Sequence, residues 1–199
     1  CAAKARRGLN PKGFVLIAMF GILFFLVFMV FSIIFSANAN LCWFTHTVGA
    51  LFAGTVFMYL AYRVPKRGAI AIMGIIVGAV GLLMGMFWSG PVGIVVGGIV
   101  ADLIAGDPQK RTKTKLICAF AAFTFCFWLG QISLILMMGE AYAEMCVQAG
   151  MTLEYGQTLV NSILSPMGVV TGAATIAGGL VGGFIGTKVF SKHFAKLGV

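Results

Sequence analysis

The feature that most constrains this chain is a short basic bead, Arg63-Val64-Pro65-Lys66-Arg67-Gly68, set between two uncharged runs. Trp43 to Tyr62 on one side and Ala69 to Trp88 on the other contain no Asp, Glu, Lys or Arg. Each run is about 20 residues, and at about 1.5 Å rise per residue a helix of that length crosses roughly 30 Å of hydrocarbon. Three cations between two such spans cannot sit in lipid and prefer the cytoplasmic face. Pro65 stops one helix and Gly68 permits a tight turn, so the bead reads as a short crossing point between two helices.

Composition extends this reading to the whole chain. Of 199 residues, 60% are hydrophobic and 10% charged, and the mean hydropathy is +1.04. A soluble domain of this size has no way to bury so much apolar surface, so the chain reads as a polytopic membrane protein. Its first hydrophobic run is too long for a signal-peptide core and no small-residue cleavage site follows, which predicts a retained span. The net charge of +9 is explained by topology signals at a membrane surface, and no nucleic-acid partner is expected. The five cysteines show no CxxC spacing, and Cys118 and Cys126 lie inside apolar runs. They read as small core residues, with neither a disulfide framework nor a zinc site.

The expected fold is an all-α integral membrane protein, a single domain over residues 1–199 with six transmembrane helices and both termini cytoplasmic. The spans are expected at about 13–36, 43–62, 68–88, 92–105, 116–138 and 164–188. A basic lead (Lys4, Arg6, Arg7, Lys12), the bead, the loop Gly106 to Lys115 and a tail from Ser191 to Lys196 fall on one side. The other side holds Ala37 to Asn40, a turn at Ser89-Gly90-Pro91, and a long outer loop over 139–162, helix-competent up to Gly150. In this arrangement all 14 Lys and Arg face the cytoplasm, while Glu140, Glu144 and Glu154 face outward. Overlapping GxxxG spacings run through Gly172, Gly178, Gly179, Gly182, Gly183 and Gly186, with further pairs at Gly74/Gly78, Gly81/Gly85 and Gly93/Gly97. Small residues at this spacing let helix backbones approach closely, either to pack the bundle or to slide against a partner.

Catalysis finds no candidate residues. The central turns of five expected spans hold no Asp, Glu, Lys or Arg, and no HExxH, GxSxG or Walker A motif occurs. Asp102, near the cytoplasmic end of the fourth span, is expected to pair with Arg63, Lys66 or Arg67; a proton relay would need a second group. Neither an enzymatic activity nor an intrinsic cofactor is expected. The outer face is richer: His46, Trp88, Trp128, Gln131, Glu140, Tyr142, Tyr155 and Asn161 are the candidate ligand-binding residues. They suit either an apolar pocket with a few orienting polar groups or an ordinary interfacial belt of Trp and Tyr. His46 is the only histidine expected on that side, an interfacial residue or a ligand for a metal or haem iron.

Three stretches carry a family resemblance: Tyr59 to Gly74 (YLAYRVPKRGAIAIMG), Gly97 to Gly106 (GGIVADLIAG) and Lys192 to Gly198 (KHFAKLG). With these the chain resembles the Trep_Strep (MptD-like) family, substrate-binding S components of energy-coupling factor (ECF) transporters, over nearly its whole length. The resemblance implies a six-helix bundle in the bacterial plasma membrane that binds a micronutrient in an outward pocket. It implies docking on a transmembrane coupling protein (EcfT-like) driven by two ABC ATPases, which use the ATP, and toppling in the membrane to release the solute. Such proteins often dock through an AxxxA patch on the first helix; that register here offers only Ala18 and Gly21, three apart. Arg63, Lys66 and Arg67 are the further docking candidates. The reading from a different class is an autonomous secondary transporter or channel-like protein without ATPase partners, against which the lack of intramembrane charge argues.

The ligand is constrained mainly by charge. Three outer glutamates and no outer cation disfavour a strongly anionic solute. Haem or another tetrapyrrole would suit the aromatics and His46, whereas a small vitamin or amino-acid-like molecule would suit Asn161, Gln131 and Tyr142.

Overall fold

The computed structural model describes residues 11–193, so Lys4, Arg6, Arg7 and Lys196 lie outside the described residues. Within them the chain is all-helical: α1 (Pro11–Phe35), α2 (Thr45–Arg63), α3 (Ala69–Leu83), α4 (Ser89–Ala105), α5 (Lys113–Met138), α6 (Ala141–Gln148), α7 (Leu153–Leu164) and α8 (Pro166–His193). α1, α5, α8 and the segment Cys42–Arg63 are long and apolar enough to cross a membrane, which makes this an integral membrane protein. α3 and α4 are shorter apolar helices of 15 and 17 residues, about 22 and 26 Å long at the α-helical rise.

Two expected connections take a different form. Ser89-Gly90-Pro91 is the first turn of α4 rather than a turn between helices, a place where proline loses no helical hydrogen bond. The reversal falls instead over residues 84–88, where Gly85 has φ 83°. The expected long loop over 139–162 is largely a helical hairpin, α6 and α7. Its helices are separated by Gly150 at φ 88°, while Gly139 at φ 56° ends α5; both angles favour glycine. The Thr152 hydroxyl accepts from Tyr155 N at 3.2 Å and caps α7. α7 buries Leu159, Val160 and Ile163 and exposes Glu154, Gln157 and Asn161, so it lies on the bundle by one apolar stripe.

The helices meet where side chains vanish. α2 packs along α8, and α4 lies between α3 and α5. A β carbon on Gly98 would stand 2.8 Å from Gly74 Cα, and one on Gly93 2.6 Å from Gly130 Cα. On Gly54 it would run into the Gly182 carbonyl. Gly172, Gly178, Gly179, Gly182, Gly183 and Gly186 of α8 face α2 and α5, so bundle packing accounts for their spacing. Gly21 is likewise buried against Met73 and Val77 of α3, which removes it from any docking surface; Ala18 beside it is half-buried. Phe24, Phe28, Phe57, Phe120, Phe123 and Phe127 form an aromatic core along the middle of the bundle.

At the basic end Asp102 takes a partner other than the expected Arg63, Lys66 or Arg67. Its Oδ1 lies 3.7 Å from Arg111 Nη2, which also donates to the Lys66 carbonyl at 3.3 Å. The carboxylate accepts from Gly68 N at 2.8 Å and from Ile70 N at 3.3 Å. Asp102 is therefore a cap supplied by α4 to the start of α3, where helix N–H groups lack partners and negative charge is favoured. Burial pushes the Arg111 guanidinium down from its ordinary value, and the Asp102 carboxylate opposes that shift. Arg63 points outward and donates to Tyr59 Oη at 3.0 Å.

Candidate functional site

The opposite end is built around the entry to α2. A short 3-10 turn, Cys42–Phe44, leads into Thr45 without any side-chain cap, so the hydroxyls of Thr45 and Thr47 are not spent on the helix start. Both are buried and unpartnered. His46, 2% exposed, follows on the inward face of α2. Its ring meets Phe127 of α5 edge-on at 4.8 Å and 78°, with Phe28 of α1 at 6.3 Å. The Trp43 backbone lies beside the ring, and no side chain bonds to either ring nitrogen.

Two adjoining cavities surround this corner. The deeper, about 220 Å³, is lined by Phe25, Phe28, Met29, Thr45, His46, Met84 and Phe127 among others. The upper, about 350 Å³, is lined by Trp43, Phe87, Ser89, Gly90, Tyr142, Met151, Tyr155 and Leu159 among others. Ser32, Cys42, Met86 and Gln131 line both, and Gln131 packs against Gly90 of α4 where the two meet. Among the described residues no Asp, Glu, Lys or Arg lines either one.

The walls leave polar atoms unpaired. Trp43 Nε1, Thr45 Oγ1, both His46 nitrogens and Ser89 Oγ are buried with no hydrogen-bond partner. Each such atom costs on the order of 1–3 kcal/mol when left dry, and buried polar groups in native proteins are as a rule satisfied. Thr45 and His46 line the deeper cavity and Trp43 and Ser89 the upper one, so each cavity has wall residues whose bonding a bound molecule or water would complete.

The α6–α7 hairpin covers this end. Tyr155 Oη donates to the Ser36 carbonyl at 2.8 Å, tying α7 to the segment that follows α1. Tyr142 of α6 stands edge-on to Phe87 at 5.8 Å and 73°. Burial holds both phenols well above their ordinary value, so they stay neutral.

Of the residues singled out in the sequence, His46, Gln131, Tyr142 and Tyr155 converge on these cavities. The other four do not. Trp88 is 55% exposed, and Glu140 is exposed ahead of α6. Trp128 is buried between Phe125 and Gly172 of α8. Asn161 lies on a separate polar groove with Asn40 and Thr158. Trp43, Thr45, Ser89 and Ser32 escaped the sequence reading. The polar run Thr45-His46-Thr47 at the mouth of an otherwise apolar span was their available signal. Among the described residues no three His, Cys, Asp or Glu come together as a metal site.

The fold and this corner define a helical integral membrane protein with a solute-sized, uncharged cavity at one end. The chain belongs to the Trep_Strep family: the model described as "hypothetical bacterial integral membrane protein (Trep_Strep)" matches residues 11–196. No curated protein and no solved structure matches it.

Proposed function

We propose that this protein is the solute-capturing subunit (S component) of an ECF-type importer and performs no chemistry of its own. In this reading all of α1 to α5 and α8 cross the bacterial plasma membrane, both termini are cytoplasmic, and the cavity end faces outward. The observation that carries the reading is the pair of adjoining cavities, with five unpartnered polar atoms on their lining residues, beneath a helical hairpin. Capture takes place there, the hairpin closes the site, and a transmembrane coupling protein with two ABC ATPases drives delivery. The basic end, with Arg63 and Arg67 exposed and Lys66 half-buried, is the face offered to those partners, together with Ala18 on α1.

The cargo is a micronutrient-sized molecule, and the lining favours a compact uncharged solute over haem. His46 would give haem one axial ligand, but among the described residues no Arg or Lys lines the cavities to meet its carboxylates. A Soret band that is unchanged in a His46→Ala variant would remove His46 as a haem ligand.

A mild-detergent pull-down from native membranes, with mass spectrometry of everything retained, tests the reading. Recovery of a coupling protein with paired ABC ATPases is the expected result. A chain that comes down alone at native expression, in several detergents, would replace it with an autonomous transporter or channel-like protein.

A further inference from the structure

We infer that the two adjoining cavities select an uncharged solute with an apolar, ring-sized body and an amide-like polar edge, and that Thr45 and His46 of the deeper cavity read that edge. This rests on the solute-capture reading and narrows its substrate class. Charge comes first. An ion entering either cavity would lose its hydration with no counter-charge in the lining to replace it. The pocket therefore discriminates against anions and cations alike.

Shape and polarisability come second. Phe25, Phe28, Phe127 and Met86 wall the deeper cavity, and aromatic and thioether groups favour a flat apolar partner. Its volume of about 220 Å³ lies below the range of about 300–1,000 Å³ usual for whole ligand pockets. It suits one ring system, with the rest of the molecule in the upper cavity.

The unpartnered atoms supply the third constraint. In the deeper cavity a neutral imidazole presents one donor and one acceptor and the Thr45 hydroxyl does both, while in the upper one Trp43 Nε1 only donates and the Ser89 hydroxyl does both. An edge that satisfies neighbouring donors and acceptors must itself carry an acceptor beside a donor. A primary or ring amide does so. A carboxylate only accepts and an ammonium or amidinium only donates, so each leaves part of the set unsatisfied.

The test is a titration of the purified full chain in lipid nanodiscs with benzamide, benzoate and benzamidine, probes of nearly one shape that are neutral, anionic and cationic. Binding is read by tryptophan fluorescence and by thermal midpoint near neutral pH. Benzamide is expected to bind saturably, and at least about tenfold more tightly than either ion. Thr45→Val and His46→Leu are each expected to weaken benzamide by about tenfold or more. Thr45→Val keeps the side-chain shape and removes a hydroxyl without a partner, so the ligand-free midpoint should hold or rise. A purely structural role for Thr45 would lower it. Should His46→Leu fail to fold, Thr45→Val decides alone.

An ion that binds as well as benzamide, no saturable binding of benzamide, or unchanged benzamide affinity in Thr45→Val would each overturn the inference. ATPases recovered together with a preference for ions would overturn it and leave the capture reading standing. Preference for benzamide without recovered ATPases would do the reverse.

Discussion

The two ends of the bundle treat buried polar groups in opposite ways. At the basic end the Asp102 carboxylate accepts two backbone N–H groups and faces the Arg111 guanidinium, closing the turn before α3 onto α4 and the start of α5. Among the buried side-chain atoms of the described residues there, Arg111 Nε and Nη1 lack partners. At the hairpin end five buried polar atoms, on four residues that line the two cavities, have no side-chain hydrogen-bond partner. The contrast separates Asp102, chemically the more conspicuous residue, from His46 and Thr45, which carry the site.

The contrast can be broken or sharpened in order of expected effect. Asp102→Ala uncaps α3 and strands a buried guanidinium, and should cost about 3–5 kcal/mol in resistance to unfolding by denaturing detergent. A loss below about 1 kcal/mol would show that the basic end is not held by this cluster. Gly182→Ala drives a methyl group into the Ala50 carbonyl where α8 crosses α2, for a loss of about 1–3 kcal/mol in the same assay. An unchanged stability would mean that the crossing relaxes freely.

Tyr155→Phe removes the bond to Ser36 and should cost about 0.5–1.5 kcal/mol. Amide exchange should rise across α6 and α7 but not at the turn before α3; a rise at both ends would dissolve the comparison. The smallest effect is the most telling. Ser89→Ala removes an unpartnered hydroxyl and should leave ligand-free stability unchanged or higher by up to about 1 kcal/mol. A clear loss would show that Ser89 has a structural partner after all.

Much of the fold was legible because its causes are local. Uncharged runs of helical length, the bead at 63–68 and the small-residue spacing of α8 each act through their own segment. The α6–α7 hairpin was half-legible. Gly150 marked the end of a helix, but the stripe of Leu159, Val160 and Ile163 on α7 was read as loop because the segment is too polar to span. Within the candidate site the visible residues were those with distinctive chemistry, His46, Gln131, Tyr142 and Tyr155. Thr45 and Ser89 gave no such signal, because a hydroxyl in a helix usually bonds back to its own backbone, as Thr124, Thr171 and Thr175 do here.

By itself the sequence determined that this chain lives in a membrane as helices, with its cations gathered at connections that lipid excludes. Hydropathy and charge act on each segment without needing to know its neighbours. Only the tertiary structure decided that Asp102 would meet Arg111 rather than a cation of the bead. It alone brought Tyr155 to Ser36 across 119 positions of chain, and left the polar mouth of α2 facing a void. Such pairings depend on which helix faces meet, and here those faces are set by glycine contacts between α2 and α8, α3 and α4, and α4 and α5.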